Sequence, residues 1–343
     1  MKLSGPVFPA LAKGEESVDK ALRPRSFDDF VGQRQTVKNL RIFIQAAQAR
    51  KEALDHVLFH GPPGLGKTTL AHLIAQQTQS TLKTSLGPTF TKPGDLASIL
   101  TKLQPYDILF IDEIHRIPIA VEETLYAAME DYKINILIGE GSQARTIELS
   151  LPPFTLIGAT TRTGLLSAPL RDRFGIDFGL SFYDNKDIER LLHQAAAYLN
   201  IEIAESAGSN LSARCRGTPR IALRLLQRVR DFSHDQNQSI ITQKLVDFAL
   251  SEMSIDTHGL DALDHKYMMI LHHFFNGGPA GLESIAATMS ESKDTIEDVI
   301  EPYLLQIGLV QRTSRGRQLT EKGKNYMHNH NTPMTKSLFC PND

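Results

Sequence analysis

The chain predicts an α/β fold in which a parallel sheet carries helices on both faces, followed by an all-helical block and a small winged-helix unit. Three observations predict it. Short apolar strands alternate with helical patterns from about Leu22 to Phe182. After Tyr183 the apolar residues recur only at helical spacing. The last block, about Asp261–Tyr326, orders three short helical patterns before a compact ribbon-like segment, the order of a winged helix.

The strands come first. Val57–Phe59, Ile108–Ile111, Phe154–Ile157 and Ile176–Phe178 are short apolar runs of the kind buried in a parallel sheet. Residues near Ile134–Ile138 and Thr146–Leu149, joined through Gly139-Glu140-Gly141, read as an inserted β-hairpin, although a plain loop would share much of that composition. In the helical block, Ile188, Leu191, Leu192 and Ala195 share one face, as do Ile221, Leu225, Leu226 and Val229. The stretch Ser251–Leu260 is the next boundary. Beyond it lie the helical patterns Tyr267–Phe275, Leu282–Met289 and Thr295–Gln306, then the segment Leu309–Leu319. The expected organisation is a tail over 1–20, a large α/β domain over 21–182, a small helical domain over 183–255, a winged helix over 256–330 and a tail over 331–343.

Composition sets limits on function. With 343 residues, the chain holds two or three domains, each with its own core. Lys+Arg 37 against Asp+Glu 39 gives a formal net charge of −2, which argues against a uniformly cationic binder while leaving room for a local basic patch. Cys215 and Cys340 are far apart and lack C-x-x-C spacing, so a reducing compartment and no structural zinc are expected. Pro6 and Pro9 interrupt the first apolar stretch, a poor signal peptide. No run approaches the ~18–20 apolar residues that span a bilayer. The expectation is a soluble cytoplasmic protein.

Gly61-Pro62-Pro63-Gly64-Leu65-Gly66-Lys67-Thr68-Thr69 fits the G-x-x-x-x-G-K-[ST] phosphate-binding loop, between the strand at Val57 and a helical pattern from Leu70. Glycines let successive backbone N–H groups face a pyrophosphate, and the following helix N-terminus adds a favourable dipole. Lys67 suits the β- and γ-phosphates, and the Thr68 hydroxyl suits magnesium. Leu109-Phe110-Ile111-Asp112-Glu113 ends a strand in two acids. Asp112 at such a position holds the magnesium shell, and Glu113 can orient and deprotonate an attacking water. Adjacent acids also favour a plain helix start. His115 has no metal-ligand partner at helical spacing and reads as structural.

Gly158-Ala159-Thr160-Thr161-Arg162 ends the third strand, where a hydroxyl can position water or the γ-phosphate; two β-branched residues closing a strand would look the same. Arg173, in Leu170-Arg171-Asp172-Arg173-Phe174-Gly175, lies far from the loop in sequence and suits delivery to a neighbouring subunit's nucleotide. A surface ion pair with Asp172 is an equal reading from spacing alone. Gly217-Thr218-Pro219-Arg220 opens a helix, with Thr218 as N-cap and Pro219 at N1, so that Arg220 sits at the base of a lid; one member of a basic face with Arg224 and Arg228 would look the same. Arg312, Arg315 and Arg317 surround the Ser314–Gly316 turn and suit phosphate contacts without base readout, although a solvated basic turn has the same composition.

This order of motifs resembles the AAA+ ATPases. The wording narrows the resemblance to the RuvB family: Leu22-Arg23-Pro24, Phe30-Val31-Gly32-Gln33, Asp112-Glu113-Ile114-His115-Arg116, Met129-Glu130-Asp131-Tyr132, Arg216–Arg220, Glu301-Pro302-Tyr303-Leu304 and Gln311–Arg317 look like that family's motifs over about Leu22 to Gln318. The resemblance implies an ATP-driven, magnesium-dependent motor that migrates Holliday junction branches in recombination and repair. It implies a homo-hexameric ring on DNA, a RuvA-type partner engaged through the hairpin, and a RuvC-type resolvase in a larger complex. It also implies an adenine site at Leu22, Arg23 and Tyr183 with Glu130, Asp131 and Tyr132 close by. Gly64, Gly66, Lys67, Thr68 and Thr69 would hold the phosphates, with Thr161 as sensor, Arg173 as trans finger and Arg220 as lid sensor. Lys293 stands where the family more usually has arginine, and the tail after Leu319 departs from it.

Rival readings make different demands. A protein unfoldase needs an aromatic-apolar-Gly pore loop, and Leu86–Gly94 offers only Phe90 among polar residues and prolines. A clamp loader resembles Ser-Arg-Cys at the finger, where this chain has Asp172-Arg173-Phe174. A nucleotide-sensing DNA regulator would bind one sequence and hydrolyse slowly.

Overall fold

The computed structural model describes residues 22–138 and 145–329. The hairpin turn at Gly139-Glu140-Gly141, the two expected tails and Cys340 lie outside them. The described residues form two compact units, 22–203 with Gly217–Gln227, and Ala204–Arg216 with 228–329.

The first unit opens with α1 (Arg34–Arg50), which buries Val37, Leu40, Ile44 and Ala47 on one helical stripe. A five-stranded sheet follows, made of β1 (Val57–His60), β2 (Leu82–Leu86), β3 (Ile108–Asp112), β6 (Thr155–Thr160) and β7 (Ile176–Gly179) in the order β2-β3-β6-β1-β7. Every pairing in it is parallel. The central strands are buried along nearly their whole length, which is why they read as continuous apolar runs. The edge strand β2, with Lys83, Thr84 and Ser85, has no such run and was absent from the sequence prediction. Helices α2 (Lys67–Thr78), α3 (Pro93–Leu100), α4 (Ile119–Glu130) and α5 (Ala168–Asp172) connect the strands. Parallel pairing brings the carboxyl ends of β1, β3 and β6 to one edge, where open sheets of this kind bind ligands.

The predicted hairpin is present: β4 (Lys133–Ile138) pairs antiparallel with β5 (Arg145–Ser150), Ile134 opposite Leu149. Ile134 is buried and Leu149 packs against the same core, whereas Ile147 is exposed. Helix α6 (Asn185–Tyr198) begins on an Asp184 cap that accepts from the Asp187 N–H.

In the second unit, α7 (Glu205–Ala213) precedes the later turns of α8 (Pro219–Asp235), and α9 (Gln243–Glu252) starts on a Thr242 cap. α10 (Ala262–His273) begins with a reciprocal capping box between Asp261 and Asp264. α11 (Leu282–Met289), the short α12 (Lys293–Thr295), a π-helical turn (Ile296–Ile300) and α13 (Glu301–Gln306) come next. Pro302 has no N–H to continue the ladder, which accounts for the widened turn before it. Antiparallel strands β8 (Val310–Thr313) and β9 (Gly316–Leu319) form the wing, and α14 (Glu321–Asn329) closes the unit. Tyr267, Leu271, Ile285, Ile300, Leu304 and Leu319 are among its core residues.

Candidate functional site

A cleft of about 770 Å³ opens at the carboxyl edge of the sheet in the first unit. Gly64, Gly66, Lys67, Thr68 and Thr69 line it from the loop after β1, Asp112 and Glu113 from the end of β3, and Thr161 from just past β6. Leu22 and Arg23 line it on another side, with Tyr183, Tyr198 and Arg220. Residues separated by nearly two hundred positions in sequence thus converge on one site.

Local geometry explains why these side chains stand where they do. Gly64 has φ +80, and a Cβ there would lie 2.9 Å from Thr218 Cγ2 and 3.0 Å from Arg220 Cβ, so only glycine fits the approach of α8 to the loop. The Arg220 N–H donates to the Gly64 carbonyl at 3.4 Å. Lys67 is buried, and its Nζ donates to the Gly61 and Pro62 carbonyls at 2.7 and 2.9 Å, curling over the loop where phosphates bind. The Tyr183 hydroxyl donates to the Leu65 carbonyl at 3.1 Å from beneath, and burial pushes its phenol pKa up. Tyr183 is therefore a neutral buttress of the loop.

The Thr68 hydroxyl lies 3.5 Å from Asp112 Oδ2. A hydroxyl and a carboxylate at this separation are hard oxygen donors of the kind that hold magnesium together with phosphate oxygens. Glu113 sits in left-handed backbone at φ 51, an uncommon conformation for a non-glycine residue, and its carboxylate accepts from Arg116 at 3.0 Å. His115 does have a structural partner, as expected: its Nδ1 is 3.0 Å from the Thr160 hydroxyl, which also accepts from the Arg162 N–H. Thr160 is buried in this bond, leaving Thr161 as the cleft-facing member of the pair.

Glu130, Asp131, Tyr132 and Arg173 do not line the cleft of this chain. Tyr132 turns into the core and packs edge-on to Phe154 at 5.9 Å. Glu130, at the end of α4, pairs with Arg173 at 2.6 Å. Nor does Arg173 pair with the adjacent Asp172, the alternative that spacing left open; its carboxylate partner is Glu130.

The wing also departs from a row of free cations. Arg312 and Arg317 are opposite one another across β8 and β9. Both bind the fully buried Glu301: Arg312 through Nε at 2.7 Å and Arg317 through Nε at 3.0 Å. Arg317 also reaches Glu297 at 2.8 Å. Only Arg315, in the turn, has no carboxylate among the described residues. The sequence marks Glu301 only as part of the Glu301-Pro302-Tyr303-Leu304 motif and not as the partner of these arginines. A glutamate between Ile300 and Leu304, on the buried side of an apolar helix, is the signal that could have found it.

Arg216 was singled out only as part of a motif. It is buried, and its guanidinium pairs with Asp264 at 2.6 Å and Asp261 at 3.3 Å, donates to the Gly259 carbonyl and lies over the Tyr303 ring. Burial pushes the Asp264 carboxyl up, and Arg216 pulls it back. The capping box of α10 is thereby locked to the segment that follows α7.

A parallel P-loop sheet with strand-end Asp and Glu, a helical arginine packed on the loop, and a C-terminal winged helix define a AAA+ ATPase carrying a nucleic-acid-binding type of module. Residues 22–180 match the model of the Holliday junction DNA helicase RuvB P-loop domain, 183–256 the RuvB AAA lid domain, and 257–328 the RuvB C-terminal winged helix domain. The chain belongs to the RuvB family. It is 52% identical over 313 residues to the Holliday junction branch migration complex subunit RuvB of Orientia tsutsugamushi (strain Ikeda), covering 91% of this chain and 96% of that one. It is also similar to the Thermotoga maritima RuvB Holliday junction branch migration motor, with a TM-score of 0.83 at 45% identity over 90% of this chain and 98% of that one. A single-substitution mutant of that protein gives 0.84 at 46% identity, with the same coverage. Among the described residues, no helix is long and apolar enough to cross a membrane.

Proposed function

We propose that the chain is an ATP-driven motor for branch migration of Holliday junctions, working as a hexameric ring on duplex DNA with a RuvA-type partner and, in a larger complex, a RuvC-type resolvase. The observation that carries the catalytic part is the division of machinery. Lys67, Thr68, Asp112, Glu113, Thr161 and Arg220 share one cleft, while Arg173 stands outside it beside Glu130. A site with a phosphate loop and water-orienting acid but no finger is half of a catalytic centre.

In this reading the loop N–H groups and Lys67 hold the β- and γ-phosphates, Lys67 exchanging its carbonyl partners for phosphate oxygens. Thr68 and Asp112 would hold magnesium, which neutralises charge on the phosphates. Glu113 accepts the proton of the attacking water after leaving Arg116. Arg173 enters the next subunit's cleft, with Glu130 and Asp131 on the same approaching surface. A finger of this kind contributes ~10³–10⁵ in rate, or about 4–7 kcal/mol of barrier. Branch migration breaks one base pair for each one formed, so a step is near energy balance, though opening first costs about 1–2 kcal/mol. Hydrolysis then supplies direction and speed.

Strand exchange on a synthetic four-way junction with ATP, with and without the RuvA-type partner, tests the proposal. Conversion of the junction to two duplexes is expected, faster with the partner. No processing under either condition would sink it.

A further inference from the structure

We propose that Glu301 is a positioning residue for the grip on DNA, a buried carboxylate that presets Arg312 and Arg317 as a paired phosphate clamp. The inference rests on the reading of the wing as the DNA contact and goes beyond it by assigning how the wing is kept ready.

Two like charges directly opposite across an antiparallel ribbon repel and would splay apart. Here they do not, because Glu301 is 0% exposed and sits beneath both. One oxygen, Oε2, takes Arg312 through Nε and Nη2 at 2.7 and 2.5 Å. The other, Oε1, takes Arg317 Nε at 3.0 Å and the buried Tyr267 hydroxyl at 2.9 Å. A carboxylate fixed by three side chains cannot rotate, so it dictates the plane of each guanidinium. Each arginine keeps its Nη1 without a hydrogen bond among the described residues. Arg312 retains 45% of its side-chain exposure and Arg317 16%. The backbone of Arg317 is fixed as well, through reciprocal bonds with Ala280 at 2.8 Å. Removing a charge from water is costly unless it is paired and fully hydrogen-bonded, and Glu301 meets that condition only while both arginines stay in place.

The alternative is that Glu301 only balances charge, and the two ideas predict opposite signs. Glu301→Gln keeps the shape and makes the wing more positive by one unit. If Glu301 merely offsets charge, the variant binds DNA more tightly. If it positions the arginines, binding weakens despite the added positive charge.

The experiment uses the full-length protein and a fluorescent duplex of arbitrary sequence, titrated over a series of NaCl concentrations. Glu301→Gln is expected to bind about tenfold more weakly and to lose about 1 from the slope of log K against log salt. In an Arg312→Ala background it should cause a smaller further loss, because only its hold on Arg317 then remains to be lost. Equal or tighter binding by Glu301→Gln overturns the inference, and so does an undiminished loss in the Arg312→Ala background. Where Glu301→Gln does not fold, Tyr267→Phe frees the carboxylate without changing charge. A loss of a few-fold supports the inference, and wild-type affinity overturns it. Arg315→Ala and Arg312→Ala separate the layers: if neither weakens binding, the wing is not the DNA contact and the underlying reading fails first.

Discussion

Replacing Gly64 by alanine puts the construction of the nucleotide site under direct test. Two costs arise. The backbone at φ +80 is a conformation that a side chain makes unfavourable by about 1–3 kcal/mol. The new Cβ would also stand 2.9 Å from Thr218 Cγ2 and 3.0 Å from Arg220 Cβ, so the start of α8 must retreat by some tenths of an ångström. That retreat lengthens a bond from the Arg220 N–H to the Gly64 carbonyl that is already 3.4 Å long. The expected result is a loss of about 1–3 kcal/mol in stability. Nucleotide affinity should fall at least about tenfold, the equivalent of about 1.4 kcal/mol. Gly94→Ala is the internal control, because Gly94 lies in α3 with nothing within 4 Å of the new methyl. There, alanine should stabilise by about 0.5–1 kcal/mol, since it removes unfolded-state freedom at no steric cost. Urea unfolding followed by circular dichroism, with titration of a fluorescent ATP analogue, reads both. Wild-type stability and affinity in Gly64→Ala would refute the reasoning, as would equal behaviour of the two variants.

Other consequences are as definite. Glu113→Gln should keep nucleotide binding while hydrolysis falls about 10²–10⁴-fold, because only the proton acceptor is lost; equal loss of binding would show that Glu113 is a structural acid. Lys67→Ala should lose affinity for ATP far more than for adenosine, read by calorimetry, since in the proposed mode its ammonium meets the phosphates and not the nucleoside. Asp256 gives a pH signature. Burial pushes its carboxyl up, but hydrogen bonds from His265, Tyr326 and the Leu260 N–H outweigh this and bring it down to about 2. A depressed folded pKa contributes stability that is present above the unfolded value of about 4 and is lost as pH falls toward 2. The advantage of wild type over Asp256→Asn in unfolding experiments should therefore be full at pH 5 and shrink between pH 4 and pH 2; an advantage independent of pH would contradict it.

How far the sequence could be read depended on whether the information was local. The loop at Gly61–Thr69, the acids ending β3 and the start of α8 at Pro219 are each set by neighbouring residues, and each stands where its pattern put it. Strand β2 escaped because an edge strand with Lys83, Thr84 and Ser85 has no apolar run to betray it. Pairings distant in sequence escaped for a different reason. Nothing near Arg173 announces Glu130, and nothing near the wing announces that Arg312 and Arg317 share Glu301. Charge patterns in sequence show cations but not the carboxylates that the fold later places beneath them. The position of Glu130–Tyr132 shows the same limit: the resemblance assigns these residues to a nucleotide site, but which cleft they face depends on the fold, and they lie outside the cleft of their own chain.

In the proposed ring, each nucleotide site is completed by a neighbour. The most direct measurement mixes two inactive proteins, Arg173→Ala and Lys67→Ala, and follows ATP hydrolysis against their ratio. In a mixed ring, an Arg173→Ala subunit with an intact loop can sit beside a Lys67→Ala subunit with an intact finger. Recovered hydrolysis that rises to a maximum near equal amounts is the expected result. Hydrolysis that stays at the level of the separate proteins at every ratio would contradict it.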